Sequence, residues 1–403
     1  MSCCPVHIGV LDSLNNSYGI ATLWIGLAFV ASLISVRVGL SVALVEILLG
    51  VLGGNLFGMS SNVWIDFLAG FGSVLLTFLA GAEIDPKSFR RFLKPSLVIG
   101  GIGFAAPCAA AWLFALFVLH WTSHGSEIAG IAMSTTSVAV VYAVMLDTGL
   151  NKTDLGKLIL CACFVCDLGT VLALGIIFAD YNSVLIAFGI ATAIVLVFLP
   201  RSLRFVIRHF GHPVSEPEVK YVFLLLFGLG ALATAAKSEA VLPAYLLGLG
   251  AAGIFHADPK MVGRVRGVAF TFLTPFFFLR AGTLISIPAV IAGVLIILAL
   301  FGVKVAAKVI GVFPATRPFR IRIREAWYTT MMMSTGLTFG TIAALYGYTN
   351  GFIDRSQYSI LVTVVVMTAL VPTLIAQLVF NPQVTELLHG APDTDPDPGI
   401  LVA

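Results

Sequence analysis

Charge is what this sequence holds least of. Only 11% of its 403 residues are Asp, Glu, Lys or Arg, while 59% are hydrophobic; the mean hydropathy is +1.02. A soluble domain is about a quarter charged, so an ordinary water-soluble core is excluded, whereas lipid can take the apolar surface. A net charge of +3 is too small to build a field for nucleic acid. Cysteine is sparse as well. Of Cys3, Cys4, Cys108, Cys161, Cys163 and Cys166, the last four lie in apolar runs, where a thiol packs as a small hydrophobe, and no disulfide framework follows. The first 17 residues, MSCCPVHIGVLDSLNNS, lack the basic stretch and cleavage site of a signal peptide, so the first apolar run is expected to be retained as a span.

What is present is long apolar runs. A bilayer core about 30 Å thick needs about 20 apolar residues per helix. Runs near 19–37, 40–57, 64–83, 96–119, 127–147, 155–179, 183–200, 219–237, 240–255, 266–286, 288–312, 324–347 and 357–380 predict an all-α polytopic membrane protein of about thirteen transmembrane helices. With the N-terminus outside, 18 of the 23 basic residues fall in cytoplasmic loops, and Lys237 and Arg355 alone lie in outside loops. That asymmetry predicts a multi-pass inner-membrane protein, N-terminus out and C-terminus in. The expected division is an extracellular segment 1–18, a membrane domain 19–380 and a short, disordered acidic tail 381–403.

An odd count suggests inverted repeats of six spans, 19–179 and 219–380, joined by a linker span at 183–200. Small polar residues interrupt corresponding spans: Ser134, Thr135, Thr136 and Ser137 in the fifth, and Ser334, Thr335, Gly336 and Thr338 in the twelfth. Interrupted helices in matching halves point to an ion site near the membrane midplane. Close helix packing enriches the same residues in any single span. In register in both halves, they favour a site.

Ionisable groups within spans are costly and each needs a reason. Asp167 lies near the middle of its span, about 15–20 Å from either surface at 1.5 Å per residue, too deep to snorkel. Such a carboxylate holds a proton, a cation or a water-filled cavity, unless it merely pairs with a buried lysine. Lys304 and Lys308 stand one turn apart on one face of the eleventh span. By depth Lys304 is the better charge partner, because Lys308 can snorkel to the cytoplasmic surface. Arg280 has a plain reading, snorkelling outward or pairing with Glu46, and a sharper one, a fixed charge facing Asp167. Cys163, Cys166 and Asp167 share a helix face at soft-metal spacing, although thiol packing explains the cysteines as well. The run from Gly248 to Gly253 matches a dinucleotide fingerprint, but no strand precedes it, so it reads as close helix packing. Neither a cofactor nor an enzymatic activity is expected.

Several segments together resemble the monovalent cation:proton antiporter-2 family, the NapA-type and Kef-type exchangers. They are LLTFLAGAEIDP (75–86), MSTTSVAVVYAVMLDTG (133–149), CDLGTVLAL (166–174), KVIG (308–311) and MSTGLTFGTIAA (333–344), spread over residues 20 to 380. The resemblance implies two crossed, interrupted helices and Asp167 as the ion-binding aspartate. It moves the preferred charge partner from Lys304 to Lys308 and implies a homodimer. It also implies scaffold spans at 19–83 and 219–286 around core transport spans at 96–179 and 288–380. Cys166 departs from the pattern, since the family has Asp or Asn before its aspartate.

The implied function is a secondary antiporter exchanging Na+ or K+ for H+ by alternating access. Thr135 and Thr136 would help Asp167 bind the cation, and a single acid makes one-for-one, electroneutral exchange the simplest stoichiometry. Two alternatives stay open. One is a transition-metal transporter using Cys163, Cys166 and Asp167; the other is a Kef-like cation channel.

Overall fold

The computed structural model describes residues 16–38, 42–82, 84–178, 183–210, 215–236, 240–380 and 382. Most of the N-terminal segment, Asn381, the tail beyond Pro382, and Cys3, Cys4 and Lys237 lie outside the described residues. Every regular element among those described is helical. Among the described residues, nine helices are long and apolar enough to cross a membrane. Two shorter apolar helices, α2 (Val42–Leu56) and α11 (Val241–Ala257), correspond to the short runs of the sequence. The two remaining passes are broken, so among the described residues the helices fall where the apolar runs place them.

The chain divides into two compact units. The smaller comprises residues up to Gly72 together with Gly267–Leu284. It contains α1 (Ser17–Val38), α2, the first half of α3 (Val63–Ala82) and α13 (Thr274–Thr283). A π-helical turn, Ala269–Leu273, leads into α13 from α12 (Pro259–Val268), so the tenth pass starts earlier than the apolar run alone implied.

Glycine lets α2 and α13 touch backbone to backbone. A Cβ on Gly282 would meet the Ile47 carbonyl oxygen and stand 2.9 Å from Gly50 Cα and Val51 N. Nothing in lipid substitutes for this contact, because apolar tails give no hydrophobic drive between helices and van der Waals packing supplies the attraction. Phe276 on α13 stacks on Trp24 of α1 at 5.9 Å and meets Trp64 of α3 edge-on at 5.8 Å. Arg280 pairs with Asp66 of α3, not with Glu46. The sequence reading offered snorkelling outward or pairing with Glu46 as the plain alternatives. Asp66 stands in the first turn of α3, half-exposed, where the long guanidinium reaches it with less desolvation.

The larger unit comprises Ser73–Arg266 and the residues from Ile285 onward. Along the chain it holds α4 (Pro86–Arg91), α5 (Leu93–Phe117), α6 (Ser123–Ser134), α7 (Val138–Thr148), α8 (Asp154–Ile177), α9 (Ser183–Phe210) and α10 (Pro217–Ala235). After α11 and α12 come α14 (Ile287–Ala292), α15 (Val294–Thr316), α16 (Ile323–Met333), α17 (Thr338–Thr349) and α18 (Arg355–Val379).

Local chemistry sets the helix starts. The Thr122 and Thr153 hydroxyls accept from Gly125 N and Gly156 N, capping α6 and α8. Asp354 and Gln357 form a reciprocal capping box on α18. Leu295, Ile310 and Leu378 are 78%, 75% and 81% exposed on otherwise apolar helices, as expected where lipid is the solvent. Gly248 of the fingerprint-like run packs against Phe78 of α3 with its Cβ position 2.9 Å from Ala82 N, a helix contact and not a nucleotide loop.

Overpacking a backbone contact costs about 1–3 kcal/mol. Gly282→Ala should therefore lower the thermal midpoint in detergent by several degrees. Gly228→Ala, where a Cβ meets nothing within 4 Å, should leave it unchanged.

Candidate functional site

Two broken passes cross in the larger unit. The fifth pass stops at Ser134, runs extended through Thr135 (φ −63°, ψ 153°) and resumes as α7 at Val138. The twelfth stops at Met333 and resumes as α17 at Thr338, after Leu337 at φ −152°, ψ −77°. Ser137 N donates to Thr335 O at 3.2 Å, and the Thr136 hydroxyl donates to Met333 O at 3.0 Å, so each break satisfies part of the other. Small polar residues are required here. Their side chains cap backbone groups that the helices release, as when Thr135 donates to Ala132 O and Thr335 to Met332 O. Gly336 leaves the room: a Cβ there would collide with Lys304 Nζ and stand 3.1 Å from Thr135 Oγ1.

Both lysines of α15 are fully buried. Lys308 does not snorkel. Its Nζ donates to Ser134 O at 3.0 Å and to Thr136 Oγ1 at 3.1 Å, and lies 3.8 Å from Cys166 Sγ. A cation at the C-terminal end of α6 meets carbonyls that α6 leaves unpaired and the negative pole of its dipole. Depth does not separate the two lysines, contrary to the sequence reading, because Lys304 is equally buried and donates to Thr368 Oγ1 of α18 at 3.1 Å. Ser334 donates back to Thr330 O within its own turn.

Asp167 sits in the middle of α8, 1% exposed, and its Oδ1 has no hydrogen-bond partner. On the preceding residue, the Cys166 thiol donates to Ser134 O at 3.3 Å and takes its place in the Lys308–Thr136 cluster. Cys163 turns to Met333 Sδ, 3.7 Å away. The two cysteines of the soft-metal reading thus turn to different partners. Among the described residues, no three His, Cys, Asp or Glu side chains come together as metal ligands.

Tyr245 of α11 was missed in the sequence. It is 1% exposed and donates from its hydroxyl to Phe164 O at 3.0 Å, one turn before Asp167. A tyrosine inside the apolar run LPAYLLGLG needs such a partner, and that was its signal. Asp85 and His256, 4.0 Å apart, line a cavity of about 450 Å³ whose wall includes Cys161 and Phe164 of α8. At the other end of α8, Phe178 packs on Phe352 at 4.9 Å and on Tyr346 at 5.5 Å. Arg280 and its partner belong to the smaller unit.

A family profile described as sodium/hydrogen exchanger, transmembrane, matches residues 25–381. A probable Na+/H+ antiporter 3 of Methanocaldococcus jannaschii is 22% identical over 351 residues, covering 84% of this chain and 89% of the relative. The Na+/H+ antiporter NhaS4 of Synechocystis is 24% identical over 384 residues, covering 86% and 93%. In fold, the chain is similar to the sodium proton antiporter MjNhaP1 of Methanocaldococcus jannaschii, with a TM-score of 0.70 at 15% identity over 93% of this chain and 99% of that one.

Losing a hydrogen bond from a charged donor to a buried acceptor costs about 1.5–3 kcal/mol. Lys308→Met strips a donor from both Ser134 O and Thr136, whereas Lys304→Met strips one hydroxyl contact. Thermal unfolding in detergent should therefore show the larger loss for Lys308→Met. The reverse order would show that Lys308 does not hold the crossing.

Proposed function

The chain belongs to the sodium/hydrogen exchanger family, and we propose that it exchanges sodium ions for protons at the Asp167 carboxylate. The observation that carries this reading is the buried Oδ1 without a hydrogen-bond partner. Buried polar oxygens are nearly always satisfied, and a carboxylate oxygen left without a partner is costly. A proton satisfies it; so does a dehydrated monovalent cation. Both take the same lone pairs, so one excludes the other. That is exchange.

Obligatory exchange also needs aqueous access from one side at a time. The cavity reaches Phe164, three residues before Asp167 on α8, while aromatic rings pack around Phe178 at the far end of the same helix. Both features support alternating access. In the proposed cycle the spans at 96–179 and 288–380 form the moving core. Those at 19–83 and 219–286 form the scaffold of a homodimer in the inner membrane, with the N-terminus outside. Thr136 and Cys166 act through Lys308 as positioning residues, because their polar atoms are already engaged with the crossing. Thr135, Ser137, Ser334, Thr335 and Gly336 hold the two breaks in place. Sodium is the leading cation, and potassium is the alternative.

Proteoliposomes with an internal pH dye test this directly. Sodium pulses should move protons through the wild type, and Asp167→Asn should reduce that flux to the leak of protein-free vesicles. Wild-type flux in the variant would refute the assignment. Lithium and potassium pulses in the same assay rank the cations. With one acid serving one cation, the exchange rate should not change when valinomycin and equal potassium clamp the potential at zero. Acceleration under the clamp would mean that net charge moves.

A further inference from the structure

The cavity lies against both α8 and α11. Asp85 and His256, partly exposed, stand at its mouth, and its wall includes the buried residues Phe255 of α11 and Cys161 and Phe164 of α8. Tyr245 precedes Phe255 on α11 by about 15 Å of helix. Its hydroxyl donates to Phe164 O at 3.0 Å. A helix carbonyl points toward the amide four residues on, so Phe164 O stands level with the turn that carries Asp167. Phe164 and Asp167, three residues apart, also share a face of α8. The phenol oxygen is therefore held at the depth of the unpaired Oδ1, on the side of α8 that meets the cavity. Its place is fixed from behind. A Cβ on Gly81 of α3 would collide with the Tyr245 carbonyl oxygen and stand 2.8 Å from Leu249 N, and the ring meets Phe339 of α17 edge-on at 6.4 Å.

A phenol has one proton to donate and lone pairs with which to accept. Tyr245 commits the proton to Phe164 O, and among the described residues nothing donates to its oxygen in return. We propose that this oxygen is a ligand of the exchanged cation, completing with Asp167 Oδ1 a site at the inner end of the cavity. The inference rests on Asp167 being the exchange site. An alkali ion that leaves water needs oxygens to replace its hydration, and one carboxylate oxygen is too few. The hydroxyls of the crossing are already engaged. Thr136 donates to Met333 O and accepts from Lys308, while Thr135 and Thr335 turn back on their own helices. Two oxygens that hold one ion between them stand farther apart than a hydrogen bond. Oδ1 and the phenol oxygen make no bond to each other, as a ligand pair requires. A proton on Oδ1 needs no second ligand, so the phenol favours the cation in the competition for Asp167.

Tyr245→Phe removes the oxygen and keeps the ring. In proteoliposomes near neutral pH its sodium KM should rise roughly three- to tenfold, the loss of one contact of hydrogen-bond strength, while the rate at saturating sodium stays that of the wild type. Because sodium and protons compete for Oδ1, the acid limb of the activity at fixed, sub-saturating sodium should move to higher pH. Replacing Tyr245 by 3-fluorotyrosine separates ligation from structure and leaves the packing alone. Fluorine makes the phenol a better donor to Phe164 O and its oxygen a poorer ligand. Ligation predicts a raised sodium KM for this replacement as well; a purely structural donor predicts an unchanged or lower one. A wild-type sodium KM in either substitution, or a rate that falls by the same factor at every sodium concentration, would overturn the proposal. Sodium-driven flux surviving in Asp167→Asn would instead overturn the exchange site on which it rests, so the two failures are distinguishable.

Discussion

Four helix ends meet inside the larger unit, and the backbone groups they leave unpaired govern the chemistry around them. A continuous helix satisfies its own carbonyls and amides; a broken one in an apolar medium cannot, and water is not at hand to help. The two breaks answer this demand jointly, through Ser137 N to Thr335 O, Thr136 to Met333 O, and Lys308 to Ser134 O. Lys308 is in this sense part of the backbone's hydrogen bonding. Its ammonium group is tolerable in the interior because carbonyl dipoles and a hydroxyl replace its water. Gly336 is the steric counterpart, since any larger residue would displace Lys304 or Thr135.

One unbroken helix, α8, connects the crossing to the outside world. Lys157, Cys161, Phe164, Cys166, Asp167 and, just beyond its end, Phe178 mark successive depths along it. The N-terminal residues line the cavity, the middle ones touch the crossing, and Phe178 belongs to a cluster of rings. A regular helix places these groups with fixed spacing, so the proposed entry, site and closed end share one rigid axis. The broken helices beside it supply what it cannot: polar backbone at mid-depth.

Much of this was legible from the residues, and the remainder was not for definite reasons. The passes follow from apolar length, which lipid thickness fixes. The breaks follow from Ser134–Ser137 and from Ser334 to Thr338, where small polar side chains in an apolar run have few other uses. Asp167 stood out because a lone acid at mid-span is expensive. Pairing was harder. Snorkelling and Glu46 were the plain readings for Arg280, whereas the partner is Asp66, which lies 214 positions away in the chain and depends on how α3 meets α13. The roles of Lys304 and Lys308 likewise depend on which face of α15 meets the crossing, and a spacing of one helical turn cannot distinguish them. Cavity residues such as His256 and Asp85 come from distant segments, and only their assembly reveals the mouth.

Cys166 has the widest consequence for the proposed cycle. A second acid at that position would give the site two titrating carboxylates and room for a second proton. A thiol bonded to Ser134 O adds no charge and no competing oxygen. At Asp167 itself, the net charge is the same whether the carboxylate holds a proton or a monovalent cation. Each loaded state neutralises one carboxylate with one positive charge. The two loaded forms therefore meet the same electrostatic cost in moving between faces, while the unloaded form, which differs by one charge, meets another. Tight coupling requires that unequal cost, and replacing a carboxylate by a thiol beside Asp167 preserves it with a single exchanged charge.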